Sequence, residues 1–314
     1  MGCSVRDKSM KVLLTGIAGF AGSHIAEQIL ETTDWDIVGL DRYSYAGRMD
    51  NLAHLDQSRV KLIYHDFSEC LDPIVGELGH VDFIIHNGAE THVKNSLSDP
   101  APFVSANIMG TFNMLEAAKW LKPRKFLYVS TDEVFGASEI PHLETDALTP
   151  SNPYAATKAA GEYLVRAWGK SFGVPYLITR TMNLFGRRQH KEKYIPMVIE
   201  ILRHCGQVLV HSDANGNVGS RQWVHVSDQA RALIFLLQSD AVNDTFHIAG
   251  EHKTNLEVAE SLAEQMHVNL WVEKLNAYGL YPGHDLHYSL EDSKIRALGW
   301  TPKLTFEQGL TRTI

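Results

Sequence analysis

The sequence predicts an α/β fold, a doubly wound parallel sheet with a smaller α/β substrate-binding domain, on three observations. Short apolar runs alternate with helical spacing through the first half, the pattern of strands buried on both faces and joined by crossover helices. A glycine-rich turn, Gly16-Ile17-Ala18-Gly19-Phe20-Ala21-Gly22, follows the first run directly, and after about Arg180 the alternation becomes irregular. In order, residues 11–15, 36–40, 60–65, 81–87, 125–130 and 176–180 read as strands. Helical spacing starts near Ser23, fills 102–121 with Phe103, Ile108, Phe112, Met114 and Leu115, and returns over 154–172. Farther on, helices are expected near 195–205, 227–237 and 256–265, strands near 208–211 and 223–226, and a loop over the Asn/Gly-rich stretch 212–220. The expected division is a first domain over 1–182 and a second mainly over 183–314, with some segments returning to the first.

Apolar residues make up 44% of the 314, ample for a core. The formal net charge is −8, from 29 basic and 37 acidic residues without a basic block, so neither nucleic acid nor an anionic membrane finds electrostatic support. Cys3, Cys70 and Cys205 are scattered, and the 16 histidines show no ligand spacing, so no disulfide framework and no metal site is expected. The expected compartment is a reducing cytoplasm. The first ten residues are polar, no apolar run reaches 18 residues, and Arg6 spoils the lipidation pattern that Gly2 begins, which predicts a soluble chain.

The glycine turn stands where a Rossmann-type sheet binds a dinucleotide. Gly16, Gly19 and Gly22 permit a tight turn and let backbone N–H groups approach a diphosphate at a helix N-terminus. Asp41 closes the second run about twenty residues on, where a carboxylate accepts hydrogen bonds from a ribose diol and repels a 2′-phosphate. NAD is therefore the expected cofactor. Arg42 argues the other way, since a guanidinium there can pair with a 2′-phosphate, although a surface arginine needs no ligand to explain it.

Ser130-Thr131-Asp132-Glu133-Val134-Phe135-Gly136 sets two adjacent carboxylates just past the fifth run. Such a pair divides into proton donor and acceptor when its surroundings push the two pKa values apart. Taken alone, Thr-Asp-Glu is more often a solvated turn or a helix cap. Tyr154 and Lys158, four apart with helical spacing, project from one face. An ammonium beside a phenol lowers its pKa from about 10, so that the phenolate can take a hydroxyl proton as hydride leaves carbon.

With the glycine turn, Asp41 and the hydroxyl of Thr131, this pair closely resembles the extended short-chain dehydrogenase/reductase family over nearly the whole chain. Within that family the Thr-Asp-Glu-Val-Phe-Gly motif is similar to the mark of the sugar-nucleotide 4,6-dehydratases, most of all those acting on dTDP-glucose. Tyr45-Ala46-Gly47, Ala89-Glu90-Thr91-His92-Val93, Glu192-Lys193, Lys253-Thr254-Asn255-Leu256-Glu257 and Pro282-Gly283-His284-Asp285 match as well. The resemblance implies that Phe20, Ala21, Asp41, Asp66, Phe67 and Ala89 line the NAD site, with Tyr154 and Lys158 reaching it. It implies that Thr91, Thr131, Asn183, Lys193, Arg221, Asn255 and His284 hold the sugar nucleotide, Arg221 and Lys193 meeting the diphosphate charge. Singly, Asp66 reads equally as a strand-end cap, Arg221 beside Trp223 as a stacked surface pair, and His284 as an exposed histidine.

The implied reaction is redox-neutral. Tyr154 takes the proton of the sugar 4-hydroxyl as hydride passes to NAD, Glu133 takes the C5 proton, Asp132 protonates the departing C6 hydroxyl, and hydride returns to C6. Thr131 would hold O4, Asn107 would steady the active-site helix, and a homodimer would form through the helices at 102–121 and 154–172. Departures from the family pattern cluster at the nucleotide end: Asn183-Leu184 for an asparagine pair, Tyr281 for an arginine, Lys94-Asn95 for Asp-Arg, and added residues around 215–220. They leave dTDP, UDP or another nucleotide open. The alternatives are a sugar-nucleotide epimerase or decarboxylase on the same scaffold and, from a different class, a non-catalytic NAD-binding protein, against which intact Tyr154, Lys158, Asp132 and Glu133 argue.

Overall fold

The computed structural model describes residues 9–138, 140–276 and 287–314. Its strands in chain order are β1 (Lys11–Thr15), β2 (Asp36–Asp41), β3 (Val60–Tyr64), β4 (Phe83–His86), β5 (Lys125–Thr131), β6 (Tyr176–Thr181), β7 (Asn183–Phe185), β8 (Gln207–Ser212), β9 (Ser220–His225), β10 (Asp244–Ile248), β11 (Glu251–Thr254) and β12 (Trp271–Asn276). Seven form one sheet in the order β10-β6-β5-β4-β1-β2-β3. β1 pairs in parallel with both β2 and β4, β2 with β3, and β4 with β5. The order reverses at β1, so the turn leaving β1 opens at the switch point where doubly wound sheets bind ligands.

The six strands expected in the first half all form, with ends within two residues of those expected. β7, β10, β11 and β12 were not foreseen. β11, Glu251-His252-Lys253-Thr254, has no apolar residue at all, and β12 leaves most of its side chains exposed, so neither carries an alternation to read. The helix expected over 102–121 is interrupted, Ala101–Phe103 passing through a π-helix, Val104–Met109, into Gly110–Leu121. Gly110 follows the π turn where a Cβ would press on the Phe67 ring at 2.5 Å, a close approach that only glycine allows.

The chain divides into two compact units. The first takes Met1–Val129, Ala160–Ile178 and Leu233–Asp244; the second takes Ser130–Ala159, Thr179–Ala232 and Thr245–Ile314. The chain thus crosses between the units several times, where a first domain over 1–182 and a second mainly over 183–314 with some returning segments were expected. Within the first unit the returning segment is held by Lys125, whose Nζ donates to the carbonyls of Leu236 and Leu237 at 3.1 and 3.0 Å and to that of Ser239, at the end of the helix Val226–Gln238. A cation at a helix C-terminus satisfies its orphan carbonyls. The first unit's core gathers Leu13, Val38, Ile84, Met114, Phe126 and Tyr128. The second unit's core gathers Phe185, Val198, Val208, Trp223, Leu262 and Phe306, around the sheets β11-β9-β7 and β12-β8.

Candidate active site

In the first unit β1 delivers the chain into Gly16, whose φ of +68° suits glycine. A Cβ on Gly22 would fall 1.9 Å from the Gly16 carbonyl oxygen, so the turn cannot close with a larger residue. The helix Phe20–Thr32 starts from Gly19, which has no side chain to close its first turn, and the N–H groups there suit an anionic diphosphate. Asp41 ends β2, buried, and accepts the N–H of Ala18 at 2.9 Å and of Tyr43 at 2.8 Å. Burial pushes its carboxyl above the ordinary range, more than these bonds and the neighbouring Arg42 pull it back.

Arg42 is spent on carboxylates. Its two terminal nitrogens meet Asp66 at 2.7 Å and Glu90 at 2.5 Å, and the second Asp66 oxygen takes the N–H and hydroxyl of Ser68 at 2.9 and 2.8 Å. Burial pushes the Asp66 carboxyl up, but the bonds from Arg42 and Ser68 outweigh it and hold the group below its ordinary value. Glu90 is fixed in turn by Asn107, only 1% exposed, which accepts the Glu90 N–H at 2.9 Å and donates to the Glu90 carbonyl at 3.0 Å. From Asn107 the chain of bonds continues through Thr111 and His86 to Thr15 and the N–H of Gly88. Asn107, expected to steady the active-site helix, holds the Glu90 backbone on both sides. Phe67 lies edge-on to His86 and fills the space that Gly88 and Gly110 leave, which makes its side chain a core element. Ala89, half-buried, and Thr91, exposed, follow β4 in the same unit.

The second unit holds the acid pair. A short 3-10 turn, Asp132–Phe135, follows β5, and the Thr131 hydroxyl donates to Asp132 Oδ1 at 3.0 Å while accepting the Glu133 N–H at 3.4 Å. The Thr131 hydroxyl, expected to hold a substrate oxygen, here directs its proton at Asp132 and so braces the acid. Asp132 is 4% exposed and, among the described residues, its Oδ2 has no hydrogen-bond partner. Burial pushes its carboxyl up further than the Thr131 bond and the Arg221 charge restore. Glu133 is pushed up by burial and then by the charge of Asp132, against weaker pulls from Asn152, Lys193 and Arg221. The pair is therefore poised to hold and pass protons near neutral pH rather than to stay doubly ionised.

The Phe135 ring anchors the turn. His142 stacks on it at 4.4 Å, the Arg180 guanidinium sits 4.6 Å over it, and His247 meets it edge-on at 5.5 Å. Arg180, 1% exposed, donates to the Glu144 carbonyl at 3.1 Å and reaches His247 Nε2 at 3.4 Å. Burial, reinforced by the Arg180 charge, pushes the His247 imidazole down to about 3, so it is neutral at working pH. Phe135 belongs to the carboxylate motif, whereas His142, Arg180 and His247 were not singled out from the sequence, since nothing local marks them.

The helix Pro153–Phe172 carries Tyr154 and Lys158 one turn apart, both buried. Pro153 stands at its first position, and Asn152, which precedes it, caps the helix; Asn-Pro ahead of a helical stripe is the sequence signal that could have found Asn152. Arg221 on β9 lies 4.5 Å over the Tyr288 ring and donates to the Ser220 carbonyl at 2.7 Å. Lys193 precedes the helix Tyr194–Arg203, and burial pushes its ammonium down against the pull of Glu133 and Glu192. Asn183 opens β7; Asn255 opens the helix Asn255–Met266, its carbonyl held by the Tyr194 hydroxyl at 2.6 Å. These four share the second unit with the acid pair, Tyr154 and Lys158, whereas Thr91 belongs to the first. His284 and Tyr281 lie outside the described residues. Among the described residues no cluster of His, Cys, Asp or Glu could hold a metal, and no helix is long and apolar enough to cross a membrane.

A family model described as GDP-mannose 4,6 dehydratase matches residues 13–313. The chain belongs to that family. It is 38% identical over 306 residues to the low-salt glycan biosynthesis protein Agl12 of Haloferax volcanii, covering 96% of each chain. Among solved structures it resembles DesIV, a dTDP-glucose 4,6-dehydratase from Streptomyces venezuelae with NAD bound, at 34% identity and a TM-score of 0.89, over 97% of this chain and 95% of that one. The UDP-glucose 4-epimerase of Thermus thermophilus, also with NAD, matches at 27% identity and a TM-score of 0.87 over 97% of each chain. The extended short-chain dehydrogenase/reductase resemblance carried by the motifs holds. Dehydratase and epimerase thus share the scaffold of this chain.

Proposed function

We propose that the protein is an NAD-dependent nucleoside-diphosphate-glucose 4,6-dehydratase that forms the 4-keto-6-deoxy sugar nucleotide and water from a dTDP- or UDP-linked glucose. The observation that carries this reading is Asp132: a buried carboxyl whose Oδ1 accepts the Thr131 hydroxyl and whose Oδ2 has no hydrogen-bond partner among the described residues, beside a second carboxyl with raised proton affinity. With Oδ1 taking the Thr131 hydrogen bond, Oδ2 is the oxygen left to carry and give up the acidic proton. Hydride transfer alone needs no such pair; elimination of water does.

The glycine turn, the uncapped helix start and Asp41 fit NAD, and the saturation of Arg42 by Asp66 and Glu90 disfavours a 2′-phosphate. Bound NAD supplies a hydride acceptor at the start of the turnover that is restored at its end. Tyr154, with Lys158 one turn away, takes the proton of the sugar 4-hydroxyl. The resulting 4-ketone acidifies the C5 proton. Glu133 takes that proton, the electron pair of the C5–H bond forms the C5–C6 double bond, and the C6–O bond breaks as Asp132 passes its proton to the leaving hydroxyl; C5 then regains a proton from Glu133 as the stored hydride is returned at C6. Arg221 and Lys193 supply the positive charge for the diphosphate. The exposed apolar side chains Val104, Met109, Trp120, Tyr163 and Phe172 support a homodimer through the helices of residues 101–121 and 153–172, and cytoplasmic location accords with the composition.

Incubating the protein with dTDP-glucose, UDP-glucose and GDP-mannose deuterated at C4, then weighing the products, tests the reading. A loss of 18 mass units with deuterium carried to C6 is expected from at least one of them. A product that keeps its C6 oxygen, with configuration changed at C4, overturns the dehydratase in favour of an epimerase.

A further inference from the structure

Asn152, 5% exposed, uses both halves of its amide. Its Oδ1 accepts the N–H of Ala155 at 2.9 Å, capping the helix Pro153–Phe172, and its Nδ2 donates to Glu133 Oε2 at 3.1 Å. The backbone N–H can only donate, so the amide's orientation is set by the cap, and the nitrogen must face the carboxylate. One side chain thereby ties the helix carrying Tyr154 and Lys158 to Glu133. It also divides the labour of the two Glu133 oxygens: Oε2 is held, and among the described residues Oε1 has no hydrogen-bond partner.

Resting on the dehydratase reading, we propose that Asn152 is a positioning residue for proton abstraction, fixing the Glu133 carboxylate through Oε2 so that Oε1 is presented as the base. In that step the C5–H bond breaks, the proton passes to Oε1, and the electron pair enters the C5–C6 bond as hydroxide leaves with the Asp132 proton. The charged groups that act on Glu133 are Asp132, Lys193 and Arg221, with Asn152 its neutral donor. A donor to the ionised form favours it, and in this setting Asn152 offsets part of what burial and Asp132 do to the base.

Two variants separate positioning from capping. Serine and aspartate both cap helices well, so Asn152→Ser and Asn152→Asp should keep the helix start and a melting temperature close to the parent's. Serine is too short to reach Glu133, and aspartate sets an acceptor against it. The expected result is a fall in solvent-deuterium incorporation at C5 of about 10-fold for Asn152→Ser and more for Asn152→Asp, while reduction of bound NAD by substrate changes less than about 3-fold. The acidic limb of the pH profile should move upward by about one unit in Asn152→Asp, together with the 13C titration of the Glu133 carboxyl in protein without substrate. If both variants keep the parental profile, titration and C5 exchange, Asn152 is a cap and nothing more. If the parent itself incorporates no deuterium at C5 and forms no 6-deoxy product, the dehydratase reading falls, and the assignment of Asn152 falls with it.

Discussion

Two clusters of carboxylates sit in this chain under opposite regimes. In the first unit Asp66 and Glu90 share the fork of Arg42, and Ser68 completes the set around Asp66, which is held below the ordinary carboxyl range. In the second unit Asp132 and Glu133 are adjacent, buried or partly so, and given too little positive charge to balance each other, so both are pushed up. A carboxylate that stays charged is built with an arginine against it. A carboxyl that must exchange protons is built by withholding one.

The largest expected effect comes from making the second cluster unable to exchange protons. In Asp132→Asn/Glu133→Gln, formation of 6-deoxy product should fall by about 10²-fold or more, while substrate still reduces bound NAD and leaves a 4-keto sugar with its 6-hydroxyl. Stopped-flow absorbance of NADH with product mass spectrometry checks this; unaltered 6-deoxy output from the double variant would refute the roles given to the pair.

Stripping the first cluster should instead change which cofactor is held. In Asp66→Asn/Glu90→Gln, Arg42 loses both partners and can meet a 2′-phosphate, so the affinity ratio of NADPH to NADH should rise by about 10-fold, or about 1.4 kcal/mol. Calorimetric titration of the cofactor-free protein reads this without turnover. An unchanged ratio would show that Asp41 alone sets the preference.

The clusters should also answer pH with opposite sign. Asp66, depressed in the fold, stabilises above the unfolded carboxyl range near 4 and loses that contribution as pH falls through its lowered value. Asp132 and Glu133, raised in the fold, contribute fully below the unfolded range and lose that contribution as pH rises through their raised values. Asp132→Asn/Glu133→Gln should therefore melt about 2–4 °C above the parent at pH 8 and level with it near pH 4, whereas Asp66→Asn should melt below the parent at pH 7 and approach it at about pH 2 to 3. Scanning calorimetry across pH decides it; parallel curves would mean that the two clusters do not differ in charge state. The smallest effect is expected for Arg42→Lys, which keeps the charge but loses the fork, at about 1 kcal/mol of stability by denaturant titration.

Much of the fold and part of the site were legible in the amino-acid order, because strand period, helical spacing and turn chemistry depend on residues that are near neighbours in the chain. The strands of the first half, the glycine turn after β1, Asp41 at the end of β2, the adjacent carboxylates after β5 and the Tyr154/Lys158 spacing are all of that kind. The polar β11, the exposed β12 and the π turn at Val104–Met109 were not, since they carry no periodic signature.

What only the tertiary structure decided is partnership and dielectric. Arg42 finds its carboxylates 24 and 48 residues away, and no local rule says whether a guanidinium will meet them or a phosphate. The same holds for the division of Asn152 between its helix and Glu133, for the clamp of His142, Arg180 and His247 on Phe135, and for the return of Leu233–Asp244 to the first unit on Lys125. By itself the sequence determined which residues could carry acid, base and hydride chemistry. Burial determined their charge: a carboxyl's proton affinity depends on how much water and how many opposite charges surround it, and those surroundings come from segments far apart in the chain.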